Sequence, residues 1–237
     1  MRTLVVGDIH GCLTALKKLL ELAELKPGDR LITLGDMIDR GQDSRGVLEL
    51  LMDLHKKEVL TPLRGNHEMM FLEAAHGSSR NWLETAGGRA TLMSFGVQPS
   101  KTWRNAIPIE VWRFINESCL DLIEHDNHFM VHANVEAGLS LEDQPPSVIH
   151  WAKLEPPLMP HVSGKTMVCG HTVMGEGFPV DFGTAWCLDT GAYHDFGWLS
   201  MVELETRKVW QANERGEARQ VEMQPWQASR REESASG

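Results

Sequence analysis

No run of about 18 apolar residues occurs in the chain, so no transmembrane helix is expected. Leu4-Val5-Val6 is too short for a signal-peptide core and leads straight into a polar motif. A cytoplasmic location is therefore expected. Cysteine is scarce: Cys12, Cys119, Cys169 and Cys187 are scattered and form no CxxC pair. Such cysteines are expected to be reduced and buried, which sets aside disulfides and structural zinc. Positive charge is in deficit, with 23 Lys and Arg against 33 Asp and Glu and a formal net charge of −10. That balance disfavours nucleic acid as the main partner but leaves room for a small basic pocket. No internal repeat or low-complexity block is visible. What remains is an ordinary globular composition over 237 residues, suited to one large domain or one domain with an insertion.

The first third of the chain alternates in type. Residues 2–7 read as a strand opening onto Asp8-Ile9-His10-Gly11, and residues 12–25 carry apolar side chains at helical spacing. A second strand at 30–35 ends on Gly35-Asp36, followed by Asp39, Arg40 and Gly41, and a helix follows at 43–55. A third strand, Val59 to Leu63, ends at Arg64-Gly65-Asn66-His67-Glu68. This β-α-β-α-β order predicts an α/β protein with a parallel sheet. Residues 68–118 are helical and contain Trp82, Trp103 and Trp112, with Gly87-Gly88 as a break; they read as an inserted cap. Most of these tryptophans are expected to serve packing.

Further strands are expected at Leu120–Ile123, Phe129–Val131 and Thr166–Cys169, the last two ending at His132-Ala133-Asn134 and Gly170-His171-Thr172. The proline-rich stretch 136–165 reads as a loop with a helical turn near Val148–Trp151. Trp186–Leu188, Trp198–Glu203 and Val209–Ala212 look like antiparallel strands joined by turns. The division expected is a single domain over 1–212, the cap lying within it, and a frayed polar tail at 213–237.

The strand ends carry Asp8, His10, Asp36, Asn66, His132 and His171. Any one of them alone reads more simply as a helix cap or a satisfied core residue, and His55, His76, His125, His128, His150, His161 and His194 keep that reading. As a set, their mixed nitrogen and oxygen donors suit Mn, Fe, Zn, Co or Ni better than Mg or Ca. Six ligands are too many for one catalytic ion that must keep open positions. They suit two divalent ions, with Asp36 as the bridge and Mn²⁺ the expected metal.

Gly-Asp-Ile-His-Gly at 7–11, Gly-Asp-Met-Ile-Asp-Arg-Gly at 35–41 and Gly-Asn-His-Glu at 65–68 resemble the motifs of the calcineurin-like metallophosphoesterases. Among these the resemblance is to the phosphoprotein phosphatase branch of bacterial and phage serine/threonine phosphatases, and it covers roughly residues 1–212. It implies a four-layer αββα fold, a β-sandwich flanked by helices, around a dinuclear centre. It also assigns Asp8, His10 and Asp36 to one metal, and Asp36, Asn66, His132 and His171 to the other.

Two such ions can clamp a phosphate and acidify a bridging water for in-line attack. Arg40 is then expected to hold the phosphate, with Asn66 beside it. His67 is the expected general acid for the leaving alkoxide, and Asp39 its carboxylate partner. The simpler reading of Asp39 and Arg40 is a turn-stabilising ion pair. The branch commonly has a second phosphate-binding arginine after a tryptophan, where this chain reads Trp151-Ala152-Lys153. Lys153 is the expected substitute, as a point charge without the planar fork.

The expected activity is therefore phosphomonoester hydrolysis, on a phosphoprotein or a small phosphoester. The rival is a symmetrical dinucleoside tetraphosphatase, which shares the first motif and the metal set. Those enzymes usually lack an aspartate at the position of Asp39 and carry aspartate where this chain has Glu68. A degenerate non-catalytic scaffold is disfavoured because all six ligands and His67 are retained. A nuclease is disfavoured by the acidic balance.

Overall fold

A computed structural model describes residues 2–227. Thr3–Val6 (β1), Arg30–Thr33 (β2) and Leu60–Pro62 (β3) pair in parallel, with helices Leu13–Ala23 (α1) and Ser44–Lys56 (α2) as crossovers. Helix α1 buries Ala15, Leu16, Leu19 and Ala23, a stripe at helical period. Helix α2 starts where the Asp43 carboxylate accepts the Gly46 N–H at 2.8 Å.

After β3 the chain leaves the sheet through Asn66–His76 (α3), Arg80–Glu84 (α4), Gly88–Ser94 (α5), a 3₁₀ turn at Trp103–Ala106, Ile109–Arg113 (α6) and a π turn at Phe114–Ser118. It returns at Leu120, which bridges Leu63 in parallel, so the segment leaves and rejoins the fold at one place. Aromatic rings form its core: Phe71 stacks on Trp112 at 4.2 Å, and Trp82 lies 5.0 Å from Trp103.

The second half supplies Leu122–His125 (β4), His128–Val131 (β5), Pro146–Trp151 (α7), Thr166–Cys169 (β6), Val180–Asp181 (β7), Ala185–Cys187 (β8), Leu199–Glu203 (β9) and Val209–Ala212 (β10). Ala218–Val221 (β11) and Gln224–Pro225 (β12) complete two six-stranded sheets. Their orders are β11-β10-β9-β1-β2-β3 and β12-β7-β8-β6-β5-β4.

Alternation along the strands builds the layers. Val5, Ile32 and Val202 of the first sheet meet Met130, Val168 and Trp186 of the second in a shared inner core. Leu4, Val6 and Leu31 face the other way, toward α1, α2 and the cap. Phe129, Val131, Met167 and Cys169 face outward from the second sheet and pack with Ile149 of α7. This is the helix-flanked mixed-sheet sandwich that the motifs imply.

Two local expectations are corrected. The Trp186 strand does not belong with β9 and β10; it lies in the other sheet and pairs parallel with β6. Sequence spacing suggests turns between consecutive strands, but Ala185–Cys187 pairs between β6 and β7, and Trp186 packs with Met130 and Val168 in the inner core. The stretch from 213 is not a frayed tail as far as it is described, because β11 pairs antiparallel with β10 and β12 pairs with β7. Residues 228–237 lie outside the described residues. All four cysteines are buried and unpaired, and no described helix is long and apolar enough to cross a membrane.

Candidate active site

The ends of β1, β2, β3, β5 and β6 converge on one spot. Asp8 and Asp36 are each 2% exposed, and His10, Asn66 and His132 are buried beside them. His10, Asp36, Asp39, Arg40 and His171 all have positive φ, five of the eight such non-glycine residues among those described. Backbone held in that region costs energy, so its concentration here marks a site that the surrounding fold over-determines.

Asp36 presents one carboxylate oxygen to each side. Oδ2 lies 3.4 Å from His10 Nε2, and Oδ1 lies 3.5 Å from His132 Nε2. Two groups of potential ligand atoms share it: His10, Asp36 and His67 form one, and Asp36, His132 and His171 the other, each within 4.8 Å. Asp8 stands outside both groups, its carboxylate accepting the His171 backbone N–H at 3.0 Å. None of the other seven histidines joins either group among the described residues.

Each ligand-type imidazole is fixed by a backbone carbonyl. His10 Nδ1 donates to Ile38 O at 2.9 Å, His132 Nδ1 to Leu34 O at 2.8 Å, and His171 Nε2 to Trp151 O at 3.0 Å. A carbonyl can only accept, so the opposite nitrogen of each ring turns its lone pair into the site. Burial pushes His10 down to about 3 and His132 down to about 4, leaving both neutral at neutral pH. Burial also lowers His171.

This arrangement fits a pair of divalent cations. The Asn66 amide sits among acceptors: His132 Nε2 at 3.0 Å, His171 Nδ1 at 3.1 Å and both Asp36 oxygens at 3.3 Å. It satisfies them either by donating N–H or by turning its oxygen inward to share a cation with them. Buried Asp8 has Asp189 and Asp36 as charged neighbours, and burial with this like charge lifts Asp8 well above the usual carboxylate range and Asp189 to about 6. Such crowding is relieved by a cation. The close quarters also explain Gly65, where a Cβ would collide with Asp36 Oδ1.

On the His10 side, Arg40 Nη1 lies 2.9 Å from His10 Nε2, and the Arg40 guanidinium stacks over Tyr193 at 4.6 Å. A cavity of about 450 Å³ opens beside Arg40, bordered by Gln42, Tyr193, His194 and Arg215. His67 Nδ1 donates to Asp39 Oδ2 at 2.8 Å, while His67 Nε2 lies 3.8 Å from Asp36 Oδ2. Burial works against a charged His67, but Asp36 and Asp39 override it and raise its pKa. Lys153 lies exposed on the His171 side, where its charge helps to lower His171.

Residues 1–207 match the calcineurin-like phosphoesterase family. The chain belongs to that family. Its members are dinuclear metal-dependent hydrolases, and the two groups sharing Asp36 are candidate metal-binding residues. The chain is 35% identical over 155 residues to serine/threonine-protein phosphatase 1 of Salmonella typhimurium, covering 63% of this chain and 62% of that protein. It is 42% identical over 82 residues to the symmetrical bis(5'-nucleosyl)-tetraphosphatase of Edwardsiella ictaluri, covering 34% of this chain and 29% of that one. The matched stretches thus span less than two thirds of these relatives. A crystal structure assigned provisionally as a diadenosine tetraphosphatase shares the fold, with a TM-score of 0.66, 21% identity and coverage of 96% and 95%.

Three contributors escaped the sequence reading. Asp189, buried against Asp8, also ends a strand beside a Gly, in Leu188-Asp189-Thr190-Gly191, and could have been found by the same pattern. Glu68 was read only as a marker of the branch. Its carboxylate accepts the N–H groups of Gly65, Asp36 and Met37, each at 2.8 Å, and so fastens β2's turn to the start of α3. Trp82 was read as packing, yet its Nε1 donates to Asp39 Oδ2 at 2.8 Å. No periodicity in sequence reports that contact.

Proposed function

We propose that the chain is a metal-dependent phosphomonoesterase whose substrate class is phosphoserine or phosphothreonine. Asp36 carries this reading, with one oxygen facing each imidazole group and His67 paired to Asp39 alongside. In the proposal Asp8, His10 and Asp36 hold one ion, and Asp36, Asn66, His132 and His171 the other. Manganese is the proposed metal in a cytoplasmic protein. Two bound ions would supply activated water and neutralise charge on the phosphoryl group.

The chain's own groups do the rest. Arg40, with five N–H donors and a planar fork, orients the phosphate through its non-bridging oxygens. Lys153 adds a point charge from the opposite, exposed side. His67, kept protonated by Asp36 and Asp39, gives the Nε2 proton to the departing alkoxide. An alkoxide is a poor leaving group and needs that proton. The nucleoside phosphate released from a dinucleoside polyphosphate is a far better leaving group and needs it little. The intact Asp39–His67 pair therefore favours the monoester.

The tetraphosphatase reading keeps support from the 42% identity to the Edwardsiella ictaluri protein over 82 residues, a minor share of either chain. A panel of phosphoserine and phosphothreonine peptides, nucleotides and diadenosine tetraphosphate, assayed side by side with Mn²⁺, separates the two. The expected result is a higher kcat/KM on the phosphopeptides. A preference of several orders of magnitude for diadenosine tetraphosphate would replace the first reading with the second.

A further inference from the structure

Asp39 is fully buried, and its carboxylate is held from three directions. His67 Nδ1 and Trp82 Nε1 both donate to Oδ2 at 2.8 Å, and the Thr91 hydroxyl donates to Oδ1 at 2.6 Å. Only the first of these donors belongs to the catalytic motifs. Trp82 comes from α4 and Thr91 from α5, both within the cap.

The cap also grips the backbone at this point. Asp39 and Arg40 have φ of 71° and 69°. The Asp39 N–H meets the hydroxyls of Thr91 and Ser44 at 2.9 and 3.0 Å, and the Arg40 N–H meets Gly87 O at 3.4 Å. Gly88 packs so closely under the Trp82 indole that a Cβ there would overlap the ring. Phe71, one turn along α3 from His67, packs edge-on against the same indole at 5.4 Å. The acid's helix and the donor to its partner are thus joined through one aromatic contact.

Packing alone would place any aromatic ring at position 82. An indole nitrogen aimed at a buried carboxylate does more, because it occupies one lone pair and leaves the other directed at His67. Without Trp82 and Thr91, the Asp39 carboxylate would have His67 as its sole side-chain donor and freedom to rotate away from it.

We propose that Trp82 and Thr91 are positioning residues for the catalytic acid: the cap orients Asp39, and through it His67, for proton delivery. The inference rests on the phosphomonoesterase reading above. It gives Trp82 and Thr91 a part in the chemical step in addition to packing.

The test uses the full-length, Mn²⁺-loaded protein. Trp82→Phe keeps a ring in the aromatic cluster and removes only the N–H. Thr91→Val keeps the side-chain shape and removes the hydroxyl, which Thr91→Ser restores. Trp82→Phe and Thr91→Val are each expected to lower kcat on a phosphothreonine peptide about 10-fold, the scale of one hydrogen bond to a charged group. Turnover of p-nitrophenyl phosphate, whose leaving group needs little protonation, is expected to stay within about twofold. KM and bound metal should be unchanged, and Thr91→Ser should behave as the parent.

Equal losses on both substrates, or no loss on either, would overturn the inference, provided His67→Asn shows the leaving-group difference. If His67→Asn shows no such difference, the acid assignment fails and the inference falls with it. Should Trp82→Phe fold poorly by thermal melting, the Thr91 pair decides alone.

Discussion

On the His10 side of Asp36 the imidazoles and carboxylates are enclosed and tied to their neighbours, and Arg40 alone is exposed. His67 is bound to Asp39, Asp39 is bound to the cap, and Glu68 holds the turn that carries Asp36. On the His171 side His132 and His171 come singly from separate strands of the second sheet and Asn66 from the end of β3 in the first; His171 is partly exposed and Lys153 stands in solvent. Proton delivery requires fixed geometry at the level of one hydrogen bond. Admission of a substrate requires an open approach. The His10 flank meets the first demand at His67 and Asp39, and each flank leaves one cation, Arg40 or Lys153, open to solvent.

The largest effect should come from breaking the residue common to both flanks. Asp36→Asn is expected to empty both metal positions, read by elemental analysis of the purified protein, and to abolish turnover. Chelation should have the same effect on the parent, with Mn²⁺ restoring activity best; full turnover in protein shown to be metal-free would remove the basis of the comparison. Next in size, His67→Asn should cut kcat on alkyl phosphoesters roughly 10²–10⁴-fold, the usual contribution of a general acid. The loss on p-nitrophenyl phosphate should be smaller, and bound metal unchanged.

Glu68→Gln sharpens the enclosed flank from the side of stability. An amide has one acceptor oxygen, and its NH₂ would face backbone N–H groups that Glu68 now satisfies. A loss of about 1–3 kcal/mol in denaturant unfolding is expected. An unchanged midpoint would show that the turn is held by something else.

The pH profile tests the Asp39–His67 pair. Because the two carboxylates raise His67 against burial, the acid stays protonated above its ordinary value of about 6.5. Turnover of alkyl esters should fall as pH rises through that raised value. Asp39→Asn removes one raising charge, so the alkaline fall should move to lower pH; an unmoved limb would detach Asp39 from the acid. The smallest effect belongs to the open flank. Lys153→Arg should lower KM and tighten inhibition by inorganic phosphate through its planar fork, with little change in kcat. Unchanged phosphate inhibition would take Lys153 out of substrate binding.

Much of this site was legible beforehand because its residues sit where buried strands stop. Asp8, Asp36, Asn66 and His171 each follow an apolar run and neighbour a glycine, and His132 follows one directly, a pattern imposed by the way parallel strands deliver side chains to one edge of a sheet. Asp189 obeys the same rule, just beyond Ala185–Cys187, a strand that sequence spacing joins by turns to β9 and β10. The structure places that strand elsewhere. Short strands close in sequence pair by default through turns, whereas Ala185–Cys187 takes a parallel position beside β6, a pairing between segments that local spacing does not report. The polar stretch beyond 213 misled in the opposite way: β11 is only half buried, so alternation was weak, and its pairing with β10 supplies the stability that composition does not reveal.

By itself the sequence determined the order of strands and helices in the N-terminal half, the donor chemistry of the site and the pairing of an aspartate with the residue after Asn66. Those depend on local periodicity and on residue type, which the chain carries in linear form. Only the tertiary structure decided which donors face each oxygen of Asp36, which sheet receives each late strand and how the cap reaches Asp39. Each of these is a contact between segments tens of residues apart in the chain, such as Trp82 with Asp39. They exist only after the two sheets and the cap have packed around a common core.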